Sequence, residues 1–584
     1  MTIRRLDVRN FRGIRELTWR PAVGVNCLIG PGNSTKTTVL DAIALVLSPR
    51  FNVALTDADF HACDIGETLE VAAYLTNLPG DMLTLDRFGD MTCGLQADGT
   101  VLADPEDGSE VCLAVRFTAD ASLEPSWEVF KPGTEMVGRI SAGARAELGL
   151  FRVDERVDNH MRWARGSALT SLTAGSRAAG DVVAGAYRSA RQAVFDESHS
   201  DLSLAAKAVK DGATSFGAGP YRDLRAGLDP SGLTNGVNLV LHDGMVPLTS
   251  QGLGARRLTS MAIQHAKPGD HALVLVDEVE AGLEPHRLHR LLRKLSNDAE
   301  AGTSQVIITT HSSLVVEALP AECLAVVRSV DGTTHITSVP ADLGGAEQPT
   351  IQGTIRKGPS AMLASRVLVG EGATELGVLR AFSAFWDRSA TEPLAIVGAV
   401  VKDGKSDREA LISARQLAVL GYPTAVLIDS DQPLTEEAEA ARAAGVEVIQ
   451  WADEMCLEQR VAQDLPAVGL RALVELAVEL NGGEDAVRDA VQARLPAALQ
   501  APRLIGCDPL GWVDSGRTLE TVRGAVGLTA HKKGWFKTET KGEQLGNLLL
   551  NHHEALATTD FGLKMRQVRA FMFAERQVAD AVRS

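Results

Sequence analysis

Apolar runs of strand length alternate with longer amphipathic segments along most of this chain of 584 residues. In the first half, the runs are Val25–Ile29, His271–Val276 and Val306–Thr310. A strand that is apolar at nearly every position is typical of a parallel sheet whose two faces are covered by helices. Residues 3–14 instead alternate and then turn, which predicts a β-hairpin. The overall pattern predicts an α/β fold.

The second half repeats the alternation of strands and helices from Arg366 onward. The predicted strands are Arg366–Val369, Leu394–Val401, Thr424–Ile428 and Val446–Gln450. The predicted helices between them are Thr374–Trp386, Asp407–Leu420 and Thr435–Ala444. Strands joined by helical crossovers form a doubly wound parallel sheet. The remaining tail, residues 466–584, has the pattern of a helical region.

A glycine-rich loop with a Lys-Thr pair follows the strand Val25–Ile29, and a helix is predicted from Val39. In such a P-loop the backbone N–H groups and the helix N-terminus hold phosphates, the lysine reaches the β- and γ-phosphates, and a hydroxyl ligates Mg²⁺. The candidate residues for binding ATP with Mg²⁺ are Gly30, Asn33, Ser34, Lys36, Thr37 and Thr38.

Thr35 departs from the P-loop pattern, which places glycine directly before the lysine. If the backbone there requires a positive φ, threonine costs roughly 1–2 kcal/mol. That cost corresponds to a loss of about 5- to 30-fold in affinity. Weak ATP binding and slow turnover are therefore expected.

Three further segments extend the nucleotide-binding pattern. The strand His271–Val276 ends in Asp277 and Glu278, which matches a Walker B strand with one acid for the Mg²⁺ shell and one to polarise water. His311 ends the next apolar strand, like the switch histidine of ABC-type ATPases. The segment 248–257 resembles an ABC signature. In that family it reads the nucleotide of the opposite subunit, here through Ser250 and Gly252.

The segment Asp277–His286 is similar to the extension found in the SMC/RecF-type branch of ABC ATPases rather than to that of membrane transporters. An insertion at about 155–230 precedes it and contains the helical runs Ala174–Glu197 and Leu202–Ala213. The insertion is either a plain helical arm or a dimerisation arm. Dimerisation is favoured because one helical hairpin buries little core unless it packs on a partner.

Acidic residues follow two of the predicted strands of the second half. The acids are Glu371, Glu375, Asp429 and Asp431, with Glu458 at the start of a later helix. The carboxyl ends of parallel strands meet at one edge of a sheet, where ligands bind. Carboxylates that share a small space need cations, and hard oxygen ligands favour Mg²⁺ or Mn²⁺. A single Asp at a strand end is usually a cap or turn former, so the combination carries the prediction. The pattern resembles a Toprim domain.

An aromatic and basic island interrupts the helical tail at residues 531–543. In its Trp535-Phe536-Lys537 segment, apolar rings flanked by lysines fit either a packing anchor or a site lysine held by aromatic residues. In two-metal phosphodiester hydrolysis, a lysine can stabilise charge on the scissile phosphate. Lys537 is the first candidate for this role and Lys541 is the second.

Charge and cysteine content restrict the class of protein. With 58 basic and 75 acidic residues, the net charge is −17, which argues against a simple basic nucleic-acid coat. Residues 501–541 nevertheless carry seven basic and four acidic residues, so a local basic groove and a mixed-charge surface both stay open. The seven cysteines form no CxxC pair, and neither a secretory h-region nor a membrane-length apolar run is present. A reduced, cytoplasmic protein without membrane contact is expected.

An ABC-type ATPase, an inserted helical arm and a C-terminal Toprim domain, in this order, resemble the OLD (overcoming lysogenization defect) endonucleases over nearly the whole chain. The island at residues 534–537 is most similar to that of the class 2 members, and the Gabija nuclease subunit has a similar plan. The resemblance implies an ATPase in two parts, 1–154 and 233–358, around a dimerisation insert, 155–232. It also implies a Toprim domain, 359–465, and a helical region, 466–584, that completes the nuclease site.

The resemblance implies an ATP-regulated DNA endonuclease with two Mg²⁺ or Mn²⁺ ions in each nuclease site. Homodimers or larger homo-oligomers, a helicase-like partner protein, and a role in antiphage defence or DNA processing are further implications. The predicted catalytic residues are Glu371, Asp429, Asp431, Lys537, Glu278 and His311. The alternative is a RecF-like, ATP-dependent DNA clamp in which the acids form an ion site without catalysis.

Overall fold

The computed structural model describes residues 1–50, 53–153, 157–163, 200–228, 239–266, 272–302, 304–341, 350–389, 393–432, 434–514 and 516–573, and the single positions 169, 172 and 343. The chain divides into two compact units, Met1–Ser338 and Val339–Ser584. In the described parts of the chain, no helix is long and apolar enough to cross a membrane.

The first unit contains most of the strands. They are β1 Thr2–Phe11, β2 Ile14–Trp19, β3 Val25–Ile29, β4 Leu69–Thr76, β5 Thr92–Leu95, β6 Val101–Leu102, β7 Glu110–Ala119, β8 Ser126–Phe130, β9 Val137–Arg139, β10 Leu150–Val153, β11 Leu224–Leu228, β12 Leu239–Asp243, β13 Val246–Pro247, β14 Ala272–Val276, β15 Ser304–Thr309, β16 Leu324–Val330 and β17 Thr333–Ser338. Its α-helices are α1 Lys36–Val46, α2 Ala142–Glu147, α3 Ser200–Phe216, α4 Leu253–His265, α5 Pro285–Glu300 and α6 Ser313–Ala318.

A large mixed sheet organises the first unit. Its centre has the order β10-β14-β15-β3-β16, in which every neighbouring pair is parallel. The predicted hairpin is present as the antiparallel pair β1 and β2, and β4 and β7 continue the antiparallel part. Because β3, β14 and β15 are neighbours, their carboxyl ends bring the P-loop, the Walker B acids and His311 to one edge.

The insertion before α4 is described only in part. Helix α3 covers the predicted helical run Leu202–Ala213, whereas the run Ala174–Glu197 lies outside the described residues. Helix α3 buries Leu202, Val209 and Phe216, whose spacing places them on one helical face. A small antiparallel sheet, β11-β12-β13, follows it.

The second unit combines a small sheet with many helices. The strands are β18 Arg366–Gly370, β19 Ala399–Asp403, β20 Thr424–Ile428 and β21 Glu447–Gln450. The helices are α7 Ile351–Lys357, α8 Ala373–Ser389, α9 Leu394–Val397, α10 Asp407–Val419, α11 Thr435–Ala443, α12 Leu457–Asp464, α13 Ala467–Leu480, α14 Glu484–Gln492, α15 Leu519–Lys533, α16 Glu539–Asn551, α17 His553–Leu556 and α18 Asp560–Phe573.

The four strands of the second unit are parallel, in the order β19-β18-β20-β21, with α8, α10 and α11 as crossovers. The predicted strand Leu394–Val401 is wrong in its first half, because Leu394–Val397 form the single-turn helix α9. Gly398, with φ 72°, ends that turn, and β19 begins at the next residue. An apolar run of this length is compatible with a buried helix or a buried strand, and periodicity does not separate the two.

The C-terminal helical region packs on the parallel sheet in one hydrophobic core. Strand residues such as Leu368 and Leu427 share this core with Trp512, Trp535 and Phe536 of the tail. Helices α8 and α16 approach so closely that a Cβ atom on Gly377 would lie 2.3 Å from the Glu539 carbonyl oxygen. This contact places the aromatic and basic island, residues 531–543, near the N-terminal end of α8.

Candidate functional site

Thr35 lies at the N-cap of α1 in the left-handed region, with φ 68° and ψ 11°. Its hydroxyl donates to the Ser34 carbonyl oxygen and lies 3.1 Å from the Thr334 hydroxyl. A β-branched residue is strained in this backbone conformation, which glycine adopts freely. The backbone condition on which the predicted cost of Thr35 depends is therefore met.

Lys36 lies within the loop that should receive phosphates. Its ammonium group donates to the carbonyl oxygens of Gly30 and Pro31 at 3.1 and 2.8 Å, and it contacts the Ser34 hydroxyl. Burial lowers the pKa of Lys36 to about 8, although nearby acids, Asp277 first among them, oppose the shift. A phosphate group would replace neutral carbonyls with a full negative charge, so this lysine is well placed for an anion.

The remaining P-loop residues support the same geometry. Gly30 has φ 140°, and a Cβ atom there would lie 2.4 Å from the Val327 carbonyl oxygen, so only glycine fits. Asn33 has φ 58° and is exposed. The Ser34 hydroxyl donates to the Pro31 carbonyl oxygen, and half-buried Thr38 lies in the first turn of α1.

Asp277 connects the P-loop to the Walker B strand. Its Oδ1 atom accepts hydrogen bonds from the Thr37 hydroxyl at 3.1 Å and from the Thr309 hydroxyl at 2.6 Å. The pairing of a P-loop hydroxyl with this carboxylate is the arrangement expected for the Mg²⁺ ion of a bound nucleotide. The sequence pattern did not single out Thr309, although its position at the end of β15, beside the Walker B strand, was a usable signal.

Glu278 is exposed and has a positive φ of 46°. The Thr309 hydroxyl accepts from its backbone N–H group, and the Arg257 guanidinium donates to its carbonyl oxygen at 3.0 Å. Buried Arg257, on α4, also donates to the Asp277 carbonyl oxygen. The strained loop is thus held by its backbone while the Glu278 carboxylate stays open to solvent.

His311 follows β15, as the strand pattern predicted. Its backbone N–H group donates to Oε1 of Glu280 at 2.7 Å, and the Thr310 hydroxyl donates to Oε2 of the same carboxylate. Burial lowers the pKa of the His311 imidazole, and the nearby Lys36 lowers it further. Glu280 lies within the segment Asp277–His286, and its carboxylate positions the histidine loop.

The signature segment begins α4. The Ser250 hydroxyl donates to the Pro247 carbonyl oxygen at 2.7 Å, and Gly252 is the N-cap of the helix. A Cβ atom on Gly254 would lie 2.0 Å from the Gly282 carbonyl oxygen, so the helix start packs directly on the loop after the Walker B strand. Whether Ser250 and Gly252 read the nucleotide of a second subunit stays a prediction.

The acids of the second unit lie together at the carboxyl edge of its sheet. Glu371 follows β18 and Asp429 follows β20, and the Asp429 N–H group donates to Oε2 of Glu371 at 2.7 Å. Glu375, in the first turn of α8, accepts from the Gly372 N–H group at 3.0 Å. Asp431 and Glu458 act electrostatically on Glu371 and Asp429, so all five predicted acids share one region.

The crowded, buried setting raises the proton affinity of Glu371, Glu375 and Asp429. Burial, and then the charges of neighbouring carboxylates, raise the pKa of Glu371 to about 7 and that of Asp429 well above its usual range. The pKa of Glu375 is raised by the same causes. Buried carboxylates that lie this close together cannot all remain charged without a counter-ion. A bound divalent cation would offset their negative charge.

Asp429 is held in one orientation by two donors. The Trp451 indole N–H group and the Leu457 backbone N–H group donate to its Oδ1 atom at 3.0 and 2.9 Å. Neither of these two groups donates a hydrogen bond to the Oδ2 atom of Asp429. Trp451 was missed from the sequence, although its place directly after β21, at the edge shared with the acids, was a usable signal.

The two candidate lysines differ in their surroundings. Lys537 is exposed and follows Phe536, whose carbonyl oxygen accepts from the Thr374 hydroxyl, next to Glu375. The Lys541 ammonium group donates to the Leu480 carbonyl oxygen and to Oδ1 of Asn481, at the end of α13. Lys541 therefore has a structural partner, whereas exposed Lys537 follows a residue whose backbone contacts Thr374.

Three arginines of the basic segment 501–541 have partners within the second unit. Arg517 is buried and donates to carbonyl oxygens of Leu499 and Pro502, and Arg523 donates to carbonyl oxygens of Gln463 and Leu465. Arg503 pairs with Asp489. Arg503, Lys532, Lys533 and Lys537 are the exposed cations among the described residues of the segment, and Arg503 among them is paired with an acid.

A cationic groove lies instead on α5 of the first unit. A cavity of about 460 Å³ is lined by Ser215, His286, His289, Arg290, Arg293, Lys294 and Asn297. The lining residues of α5 are three or four positions apart, so they share one face of the helix. Arg290 is tied to the Thr214 carbonyl oxygen and Lys294 to Asp298, while Arg293 is exposed.

Comparisons with known proteins give matches to solved structures and to one family model. No curated protein sequence matches the chain. Among solved structures, an SMC head bound to the C-winged helix domain of ScpA is similar at 15% identity and a TM-score of 0.34, covering 59% of this chain and 98% of that one. An SMC head domain from Thermotoga maritima is similar at 14% identity and a TM-score of 0.29, covering 58% of this chain and 100% of that one. An SMC head bound to a ScpA domain from Pyrococcus furiosus is similar at 14% identity and a TM-score of 0.35, covering 57% of this chain and 96% of that one.

One family model matches residues 196–317, with the description "AAA domain, putative AbiEii toxin, Type IV TA system". The match covers the signature segment, the Walker B acids and His311, and it leaves out the P-loop at residues 30–38. Such a domain uses ATP with Mg²⁺, in agreement with the geometry around Lys36 and Asp277. Residues 196–317 of this chain are therefore part of an ATPase domain of the AAA type.

Proposed function

We propose that this chain is an ATP-regulated, divalent-metal-dependent DNA endonuclease. The observation that carries the proposal is the convergence of Glu371, Glu375, Asp429, Asp431 and Glu458 at the carboxyl edge of a parallel sheet. Burying several like charges together costs free energy, so such a set needs a compensating ligand. The second unit resembles a Toprim domain in this arrangement.

The donor set fits Mg²⁺ or Mn²⁺. Its members are carboxylate oxygens, which these hard cations prefer, and burial among neighbouring carboxylates raises the pKa values of Glu371, Glu375 and Asp429. Cations bound there would supply Lewis-acid activation of water and neutralisation of charge on a phosphodiester. The residues proposed to hold them are Glu371, Glu375, Asp429, Asp431 and Glu458.

The chain's own residues divide the remaining work. Trp451 and the Leu457 N–H group fix the orientation of Asp429, so that its free oxygen is presented without conformational search. Exposed Lys537 is proposed to contact the scissile phosphate and to offset the negative charge that grows on it as the P–O bond breaks. Its neighbour Phe536 is fully buried and anchors the lysine's backbone.

The ATPase domain is proposed to regulate access of DNA to the nuclease centre. Two chains would pair so that Ser250 and Gly252 of one contact the nucleotide held by Lys36 and Thr37 of the other. The homodimer or larger homo-oligomer, the helicase-like partner and the role in antiphage defence or DNA processing belong to this proposal. The cationic groove on α5 is proposed to bind the DNA backbone, because its exposed Arg293 offers charge for phosphate.

The experiment is cleavage of a supercoiled plasmid by the full chain with Mg²⁺ or Mn²⁺, and with EDTA as the metal-free reference. We expect nicking or cutting only with the cation, and a loss of at least roughly 10³-fold in Asp429→Ala, since a metal contributes several kcal/mol to the transition state. Glu439→Gln removes an exposed acid of the same unit and is the matched control, with activity equal to wild type.

The alternative of a RecF-like clamp predicts a different result. A clamp would bind DNA in an ATP-dependent manner and leave the plasmid intact with every cation, in wild type and in Asp429→Ala alike. Cleavage that persists near the wild-type rate in Asp429→Ala would also overturn the metal assignment. Both results require that the variant is folded, which a cooperative thermal unfolding transition of Asp429→Ala establishes.

A further inference from the structure

A second group of metal-ligand side chains adjoins the acids of the second unit. Ligand atoms of Cys456, Glu458 and His531 all lie within 4.8 Å of one another. Cys456 and Glu458 are buried, and His531 is half-buried, so one side stays open. The group offers one sulfur, one oxygen and one nitrogen donor. Thiolate and imidazole donors select borderline and soft ions such as Zn²⁺ rather than Mg²⁺.

The distance between the His531 and Glu458 donor atoms is close to that of two ligands of one ion. The His531 Nδ1 atom lies 3.6 Å from Oε2 of Glu458, which is too long for a hydrogen bond. Two ligands of a tetrahedral Zn²⁺ ion, each at about 2.0–2.1 Å, are separated by about 3.4 Å. A small inward movement of the half-buried imidazole therefore brings both donors to bonding distance of one ion.

The three donors are carried by rigid, closely packed elements. Cys456 is the N-cap of α12, and Glu458 lies in its first turn. His531 lies in the last turn of α15. A Cβ atom on Gly527 of α15 would lie 2.7 Å from the Gln459 Cα atom, so the two helices are in backbone contact. Pre-positioned donors of this kind lose little entropy when an ion binds.

Glu458 belongs to both groups. Its charge acts on Glu371 and Asp429 on one side, and its carboxylate faces His531 on the other. An ion held by a thiolate and an imidazole would engage this carboxylate and withdraw it from the all-oxygen set. Occupancy by a softer ion is thereby coupled to the cation content of the acids.

We propose that Cys456, Glu458 and His531 form a site for a zinc-class ion, with three protein ligands and an open fourth position, and that its occupancy inhibits the Mg²⁺-dependent activity by sequestering Glu458. The binding half of the proposal stands on the side chains alone. The inhibitory half rests on the proposed nuclease function.

The binding test uses the full chain, freed of metal and then held in excess Mg²⁺ so that the all-oxygen site is saturated. Zn²⁺ titration by calorimetry should give one site per chain, and Co²⁺ in its place should give thiolate-to-metal charge-transfer absorption. Cys456→Ser and His531→Gln should each weaken Zn²⁺ binding by at least about 10-fold. Cys507→Ser, a half-buried thiol away from these donors, is the matched control and should bind like wild type.

Zn²⁺ affinity and Co²⁺ absorption that are unchanged in both Cys456→Ser and His531→Gln would overturn the site. His531→Gln alters a half-exposed side chain, so it tests the site even if Cys456→Ser unfolds. In the cleavage assay, the Zn²⁺ concentration for half-inhibition, relative to each protein's own Mg²⁺ rate, should rise at least about 10-fold in His531→Gln. An unchanged half-inhibition overturns the coupling. Specific Zn²⁺ binding by a chain that never cleaves DNA leaves the site standing and removes the proposed function.

Discussion

The backbone N–H group of Asp429 donates a 2.7 Å hydrogen bond to the Glu371 carboxylate. The two residues end neighbouring parallel strands, β18 and β20. A bond from the backbone of one acid to the side chain of the other fixes the two carboxylates at close range, although their negative charges repel. Burial at this edge of the sheet is the main cause that raises the pKa of both carboxyl groups, and the charges of neighbouring carboxylates add to it.

The first prediction concerns stability and pH without metal. Burial first, and then the charges of neighbouring carboxylates, raise the pKa values of Glu371 and Asp429, so the folded chain binds more protons than the unfolded chain above the ordinary carboxyl range near pH 4. The contribution of these two groups to stability is therefore greatest at low pH and is lost as pH rises through about 7, the pKa of Glu371. Thermal unfolding in EDTA should show this fall, and Mg²⁺ should reduce it.

Asp429→Asn is the variant that tests this cause. An asparagine keeps an Oδ1 acceptor for Trp451 and for the Leu457 N–H group while it removes the charge. In EDTA at about pH 8.5, the variant should be more stable than wild type by at least about 1.4 kcal/mol, the equivalent of a tenfold change in proton affinity. Equal stability of the two proteins at high pH would contradict the account of crowded charges.

The second prediction separates the two lysines. Lys537→Ala should lower single-turnover cleavage by roughly 10²-fold with little change in DNA affinity, because the contact is made mainly in the transition state. Lys541→Ala should instead lower the free energy of unfolding by about 1 kcal/mol, since its hydrogen bonds to Leu480 and Asn481 are lost. A loss of cleavage in Lys541→Ala at unchanged stability, with Lys537→Ala active, would reverse the assignment.

The third prediction addresses Thr35 and its φ of 68°. Thr35→Gly should tighten ATP binding by about 5- to 30-fold, because glycine adopts the left-handed conformation without strain. Thr35→Ala is the control, since it also removes the hydroxyl that contacts Thr334 but keeps a Cβ atom. Calorimetric ATP titrations of the three proteins decide the matter. If Thr35→Gly binds no tighter than wild type, the loop is built around threonine.

The fourth prediction assigns the water-polarising role in the ATPase domain. Glu278→Gln should slow ATP hydrolysis by at least about 10²-fold, because the exposed carboxylate can no longer accept a proton, while ATP affinity stays within a factor of about two. Glu284→Gln, an exposed glutamate of the same segment, is the matched control. Steady-state phosphate release and ATP titration of both variants provide the readout. Hydrolysis that persists in Glu278→Gln would move the role to another acid.

The fifth prediction concerns the cationic groove on α5. Arg293→Ala should weaken DNA binding and reduce the slope of log affinity against log salt by about one, because one phosphate contact is lost. ATP hydrolysis in the absence of DNA should be unchanged. Lys207→Ala, an exposed lysine on α3, is the control for loss of charge alone. Equal salt slopes for both variants and wild type would exclude the groove as a DNA contact.

Several elements could be predicted because their physics is local. Strands β3 and β20 match the predicted Val25–Ile29 and Thr424–Ile428, since a short apolar run between turns has few other solutions. The gathering of acids at one edge followed from parallel strands alone. The run at Leu394 was ambiguous, and Pro393 and Gly398 decided it in favour of a helical turn.

The sequence by itself determined which candidate groups the chain carries, because apolar runs, a glycine-rich loop and acids at strand ends are local signals. Only the tertiary structure decided how those groups are held. It placed Trp451 on Asp429, tied Lys541 to the end of α13, and set His531 beside Glu458. The last of these contacts joins α15 to α12, whose backbones touch at Gly527. Packing of this kind depends on the shapes of both surfaces, which no single segment encodes.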